Sequence, residues 1–180
     1  MSATSTKLTT FAEFALLAND PNGWHIELRH GEIVKVPPPL HGHYLVQHRL
    51  RKALDKFAGA AGEVCVELGY RPTPEYNYWE ADVAFVVRAR WEEIPLEGNL
   101  QGPPELVIEV LSTSNTISEI RNKKRICLEN GTGQFWVVDQ HDREIEVSTP
   151  DGHTITYKAG QQIPLFFAPS SLLAVDSIFN

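Results

Sequence analysis

Hydrophobic positions change their period several times along this chain, and each change marks an element. Thr10-Phe11-Ala12-Glu13 has the spacing of a helix capping box, and Phe11, Phe14, Leu17 and Ala18 continue it as an apolar stripe. This predicts a short helix that stops at Asn19-Asp20-Pro21-Asn22-Gly23. Residues 24–28 and 32–36 then alternate apolar and polar on either side of Arg29-His30-Gly31. That is the signature of a hairpin with glycine in its turn, closed off by Pro37-Pro38-Pro39. Over residues 43–57 the period becomes helical, with Val46, Leu50, Leu54 and Phe57 on one stripe. Gly59 and Gly62 end it, and residues 63–70 alternate as a strand.

Two later runs are apolar on both faces and therefore belong in the centre of a covered sheet. One spans residues 79–87 and carries Asp82; the other spans 104–112 and carries Glu109. In the second, Leu106, Ile108 and Val110 share one face, while Val107, Glu109 and Leu111 share the other. A loop over 88–102 separates the two runs. After a polar turn over 112–116, helical spacing resumes over 117–129, with Arg121, Lys123, Lys124 and Arg125 clustered, and Asn130-Gly131 stops it. Residues 134–139 form a further strand, and 144–148 with 153–157 flank the hairpin turn Thr149-Pro150-Asp151-Gly152. Short apolar pieces over 161–180 are expected to cover the sheet edge. No repeat, linker or low-complexity segment interrupts the chain, so residues 1–180 read as one domain.

Composition narrows the function classes. At 180 residues the chain is long enough for a proper core. A net charge of −7 argues against a general polyanion binder, though not against a nuclease whose acidic site is neutralised locally by metal. No apolar run approaches the roughly 18 residues of a membrane span. The polar N-terminus lacks a signal-like hydrophobic region, which predicts a cytoplasmic protein without membrane contact. Cys65 and Cys127 lie in apolar segments and read as buried free thiols. His41 and His43 have no Cys/His partner pattern for zinc, and Trp79 and Trp136 read as core. No Gly-rich phosphate loop or Gly-x-Ser-x-Gly elbow is present.

The candidate chemistry lies in the acids of the central strands. An ionised carboxylate on a buried strand is costly unless it is paired or binds a metal. Two such carboxylates on neighbouring strands, Asp82 and Glu109, can meet and hold magnesium, which needs only one or two carboxylates with water and phosphate. A nearby lysine would orient water or stabilise charge developing on the phosphate. The residues also admit plainer readings. Asp82 can be a turn or cap, Glu109 can form an internal salt bridge, and the 121–125 cluster can be a solvated helix face.

Several segments together resemble a known family. They are Glu27-Leu28-Arg29-His30-Gly31-Glu32-Ile33-Val34, His43 opening a helix, and Ala81-Asp82-Val83-Ala84-Phe85-Val86. Gly102 to Ser112 around Glu109, then Lys123, then Gly131-Thr132-Gly133-Gln134-Phe135-Trp136-Val137-Val138-Asp139 complete the match. The chain resembles the Uma-two family of restriction-endonuclease-like proteins, a branch of the PD-(D/E)xK nuclease superfamily. The resemblance implies an α/β (α+β), three-layer α/β/α fold with a mixed central sheet and an added N-terminal hairpin. It implies a magnesium- or manganese-dependent endonuclease acting on nucleic acid, DNA foremost, with a homodimer as the analogous assembly. The alternative is a non-catalytic nucleic-acid or partner-binding module that keeps the nuclease fold. By the resemblance Asp82 and Glu109 are the metal-binding carboxylates. The superfamily's usual lysine position, two beyond the glutamate, is Leu111 here. The next helix supplies Lys123 instead, with Lys124 as the other register. Glu32 matches a further acidic position assisting the metal or its water, and His43 an accessory position near the site. Ala81 stands where a proline is usual, and Cys127 where a tyrosine is usual.

Overall fold

The computed structural model describes residues 7–17, 25–112 and 115–180. The expected roles of Ala18, Trp24, the 19–23 helix stop and part of the 112–116 turn lie outside the described residues. Helix α1 (Phe11–Phe14) is a single turn begun by the capping box, with the Glu13 amide donating to Thr10 Oγ1 and the Thr10 amide to Glu13 Oε2. Strands β1 (His25–Arg29) and β2 (Glu32–Val36) form the antiparallel hairpin. Gly31 turns it with φ of +81°, where an added Cβ would also strike Leu8. Leu28 and Tyr78 exchange both backbone hydrogen bonds at 2.9 Å, which fixes the hairpin to the chain entering the main sheet.

Helix α2 (His41–Ala58) begins two residues before the sequence pattern implies, directly after the proline run, and Leu40 at its N-cap makes no side-chain cap bond. A turn of 3-10 helix (Gly59–Ala61) leads to β3 (Gly62–Arg71), then β4 (Trp79–Val87). The expected loop over 88–102 contains the short helix α3 (Arg88–Glu92) and the two-residue strand β5 (Leu100–Gln101). Strand β6 (Leu106–Val110), helix α4 (Ile117–Glu129), β7 (Gln134–Asp139), β8 (Glu144–Ser148) and β9 (Thr154–Tyr157) follow. The tail holds β10 (Gln162–Pro164), β11 (Leu172–Ala174) and α5 (Asp176–Phe179).

The central sheet runs β5-β3-β4-β6-β7-β8-β9. It is mixed: β6 pairs β7 in parallel across the α4 crossover, and β3–β4, β4–β6 and β7–β8 are antiparallel. On one face, Val46, Leu50 and Leu54 of α2 pack with Val83, Phe85, Ile108 and Trp136. The tail enters this same core through Ile163, Val175 and Ile178, all fully buried. It therefore covers the α2 face, where its apolar pieces have far more surface to bury than a sheet edge offers. On the other face, Ile126 and Cys127 of α4 pack with Ala84, Val107 and Phe135. The result is a three-layer α/β/α arrangement with an added hairpin.

One irregularity positions the site. On β3, Val64 and Val66 belong to the α2 core, whereas Leu68 and Tyr70 belong to the α4 core. On β4, Trp79 and Ala81 lie in the α4 core, whereas Val83 and Phe85 lie in the α2 core. The alternation slips where Glu67 faces Asp82, and Glu67 has φ of +51°, a left-handed value uncommon outside glycine. Beyond this point β4 and β6 part. Their pairing covers Val83–Ile108, Ala84–Val107 and Phe85–Leu106 and extends no further.

Candidate active site

Where β4 and β6 part, the Asp82 side chain fills the gap in the ladder. Its Oδ2 accepts the Val110 amide at 2.7 Å, a backbone donor that would otherwise lack its strand partner. Its Oδ1 accepts from Gln47 Nε2 at 2.9 Å and lies 2.9 Å from His43 Nε2. His43 and Gln47 stand one turn apart on α2 and so reach the same carboxylate. Burial opposes a charge on His43, but the hydrogen bond and charge of Asp82, with the charges of Glu109 and Glu67, raise its pKa overall.

Glu109 projects from β6 on the α4 side, as the strand alternation requires. Lys123 Nζ on α4 comes within 2.8 Å of its Oε1, and the same ammonium donates to the Glu80 carbonyl at 2.7 Å. The Glu109 oxygen is thus buried against a charged donor that it shares with a backbone carbonyl. Burial pushes the Glu109 carboxyl up to about 8; Lys123 pulls it down, and the Asp82 and Glu27 charges add to the rise. Lys123 is pushed upward despite burial, because Glu109, Glu27 and Asp82 all favour its ammonium form.

These side chains line one cleft of about 470 Å³, walled on its apolar side by Pro37, Pro38 and Pro39. Asp82, Glu109, Lys123 and His43 all reach it. The other two sequence candidates do not. Glu32 is exposed at the hairpin turn, opposite Arg29 in the register, and does not line the cleft. Lys124 points the other way, to Glu146 Oε1 at 2.8 Å and Ser148 Oγ at 3.2 Å on β8. Successive residues on a helix lie about 100° apart, so only one of the two lysines can face the cleft.

The hairpin's acid in the cleft is Glu27. It is buried, accepts the Glu80 amide at 2.9 Å and Arg29 Nε at 2.7 Å, and its Oε1 lies 3.8 Å from Lys123 Nζ. Arg29 in turn reaches Glu119 at the start of α4 with 2.8 Å. The alternation puts Glu27 opposite to Ile26 and Leu28, but nothing in the pattern says which hairpin face meets the sheet. Gln47 was equally unmarked, although a polar residue at the helical spacing of Leu50 and Leu54 was a signal to read.

The donor set suits a hard divalent cation. Five carboxylates line the cleft (Glu27, Glu67, Glu80, Asp82 and Glu109) against two permanent cations, Arg29 and Lys123. Among the described residues no three or more His, Cys, Asp or Glu side chains are grouped to hold a metal by themselves. Two carboxylates are what magnesium needs when water and phosphate complete its shell.

A family model described as "Uma2: Putative restriction endonuclease" matches residues 11–173. The chain belongs to the Uma2 family. A solved structure similar to it is that of a protein described as "a putative nuclease belonging to DUF820", from Anabaena variabilis ATCC 29413. The TM-score is 0.80 at 20% identity, with 94% of this chain and 97% of that one covered. At that identity the likeness shows the fold, and it does so over nearly the full length of both chains. No curated protein matches this Uma2 chain. Among its described residues no helix is long and apolar enough to cross a membrane.

Proposed function

We propose that this Uma2 protein is a divalent-cation-dependent endonuclease that hydrolyses phosphodiester bonds, with DNA as its substrate. The observation that carries this reading is the meeting of Asp82, Glu109 and Lys123 in one cleft, from two strands and a helix distant in sequence. Asp82 and Glu109 would hold magnesium or manganese. The cation supplies Lewis acidity and a lowered water pKa when bound.

The chain's own residues divide the remaining work. Lys123, kept protonated by the acids around it, is a donor rather than a base. It orients the attacking water or neutralises charge growing on the phosphate oxygens, a role preorganised by its bond to the Glu80 carbonyl. Glu27 holds the ammonium from its other side, and His43 with Gln47 fixes the Asp82 carboxylate. Water attacks phosphorus, the bond from phosphorus to the leaving sugar oxygen breaks, and the products are a phosphomonoester and a free hydroxyl.

The Lys123–Glu109 contact also favours a second reading, in which the pair is only a buried structural bridge. Lys123→Met separates the two. The nuclease reading requires activity to collapse while the fold survives. A structural bridge requires a loss of roughly 3–5 kcal/mol in stability. Incubating wild type and Asp82→Ala with DNA and RNA, with magnesium or manganese, tests the activity directly. Equal background from both proteins defeats the enzyme reading.

A further inference from the structure

Among the described residues that line the cleft, Gln47 Oε1 is a side-chain acceptor buried with no partner of any kind. Gln47 is 1% exposed, so whatever meets its oxygen must enter through the cleft. The orientation of its amide is set by chemistry. Asp82 is acceptor-only when ionised, so the nitrogen must face Asp82 Oδ1, where it donates at 2.9 Å, and the oxygen is left over. A leucine or methionine would fill this place on the α2 stripe without stranding a polar atom. A buried amide with one half satisfied and the other idle points to a missing partner. That partner must be a donor or a cation, and it must lie beside the acids of the same cleft.

We propose that Gln47 Oε1 is a third oxygen donor to the divalent cation that Asp82 and Glu109 hold. This rests on the cation site of the nuclease reading. Three features favour a cation over a stray hydrogen-bond donor. Amide carbonyls are oxygen ligands to hard cations, as carboxylates are. The cleft already has more carboxylates than cations. Gln47 lines the same cleft as Asp82 and Glu109, the two carboxylates that the nuclease reading gives to the cation. Gln47 then has two tasks in one side chain: its nitrogen fixes Asp82, and its oxygen completes the ligand set. A neutral third ligand also supplies coordination without adding to the surplus negative charge that incoming phosphate meets.

The test is manganese binding, followed by electron paramagnetic resonance titration, in wild type, Gln47→Met, Gln47→Glu and Asp82→Asn, each checked for folding by circular dichroism. Wild type binds manganese and Asp82→Asn loses it. Gln47→Met, close in length and apolar, weakens binding at least about ten-fold. Gln47→Glu decides between ligand and mere support. It keeps an oxygen at the cation and loses the donor to Asp82. A ligand role predicts that the retained oxygen recovers much of the binding lost in Gln47→Met, and a purely supporting role predicts weakening at least as great as that of Gln47→Met. Wild-type affinity in Gln47→Met, or weakening in Gln47→Glu as great as in Gln47→Met, overturns the proposal while the site stands. No binding by wild type overturns the cation site and this inference with it.

Discussion

Strand β6 and its approach carry two glutamates, each facing a cation, and the two are built for different ends. Glu105 meets Arg90 at 2.5 Å, and its second oxygen accepts the Val87 amide at 3.0 Å. Arg90 also donates to the Pro103 and Gln101 carbonyls. Every partner is local, and the result ties the turn after β4 to the start of β6. Glu109 is four residues on and more deeply buried. Its Oε1 meets the Lys123 ammonium at 2.8 Å, that lysine is shared among acids, and the whole group opens on a cleft. The clasp closes on itself, whereas the Glu109 end shares its cation and faces the cleft. Placing an acid on a strand therefore says little until its partners are known.

The comparison can be broken most forcefully at the Glu109 end. Lys123→Met should lower the cleavage rate by about 10²–10³-fold, the scale for losing one preorganised charge-stabilising donor. Its thermal melt should move little, whereas a purely structural bridge predicts the loss of roughly 3–5 kcal/mol expected of a broken buried pair. Glu105→Gln should behave in the opposite way. Weakening a clasp to Arg90 is expected to cost about 1–3 kcal/mol in urea unfolding, with cleavage by the folded fraction unchanged. If both variants lose activity alike without unfolding, the two ends are not different in kind.

Acidity sharpens the same contrast. Glu109 has a folded pKa of about 8, above its ordinary 4.5, so between those values the folded protein binds more protons than the unfolded chain. Its contribution is present in full below about pH 4.5 and is lost as pH rises through about 8. His43, also raised, acts in the same sense. Without divalent cations the protein should therefore melt higher at pH 6 than at pH 8. A bound cation favours ionised Glu109, so the stabilisation added by magnesium or manganese should be greater at pH 8. Melting scans at both pH values, with and without metal, check both signs. A metal effect equal at the two values would remove Glu109 from the ligand set.

The smallest effect belongs to Lys124. Its bridge to Glu146 is partly exposed, so Lys124→Met should cost no more than about 1 kcal/mol and leave cleavage intact. Loss of activity there would reverse the choice between the two lysines.

Much of this was legible before the structure. The patterns over 79–87, 117–129, 134–139 and 144–148 match β4, α4, β7 and β8 to the residue, because caps, turns and period agree there. The capping box at Thr10 formed, though the helix it opens is one turn long. What stayed hidden depended on tertiary contact. Glu27 and Glu32 both lie in an alternating hairpin, and only the pairing of Leu28 with Tyr78 decides which acid turns inward. The face change at Glu67 and Asp82 cannot be seen in a periodicity that assumes regular strands. Gln47 shows in the sequence only as a polar break in the α2 stripe, and its bond to Asp82 depends on the folded contact.

The central claim is that the Glu109 end of β6 is a cation-dependent hydrolytic site. The most direct measurement is cleavage of DNA by purified wild type, Asp82→Ala and Glu105→Gln, with manganese or magnesium and with chelator. The account predicts cleavage by wild type and by folded Glu105→Gln that chelator abolishes, and none by Asp82→Ala. Cleavage that persists in Asp82→Ala, or that ignores chelator, would contradict it.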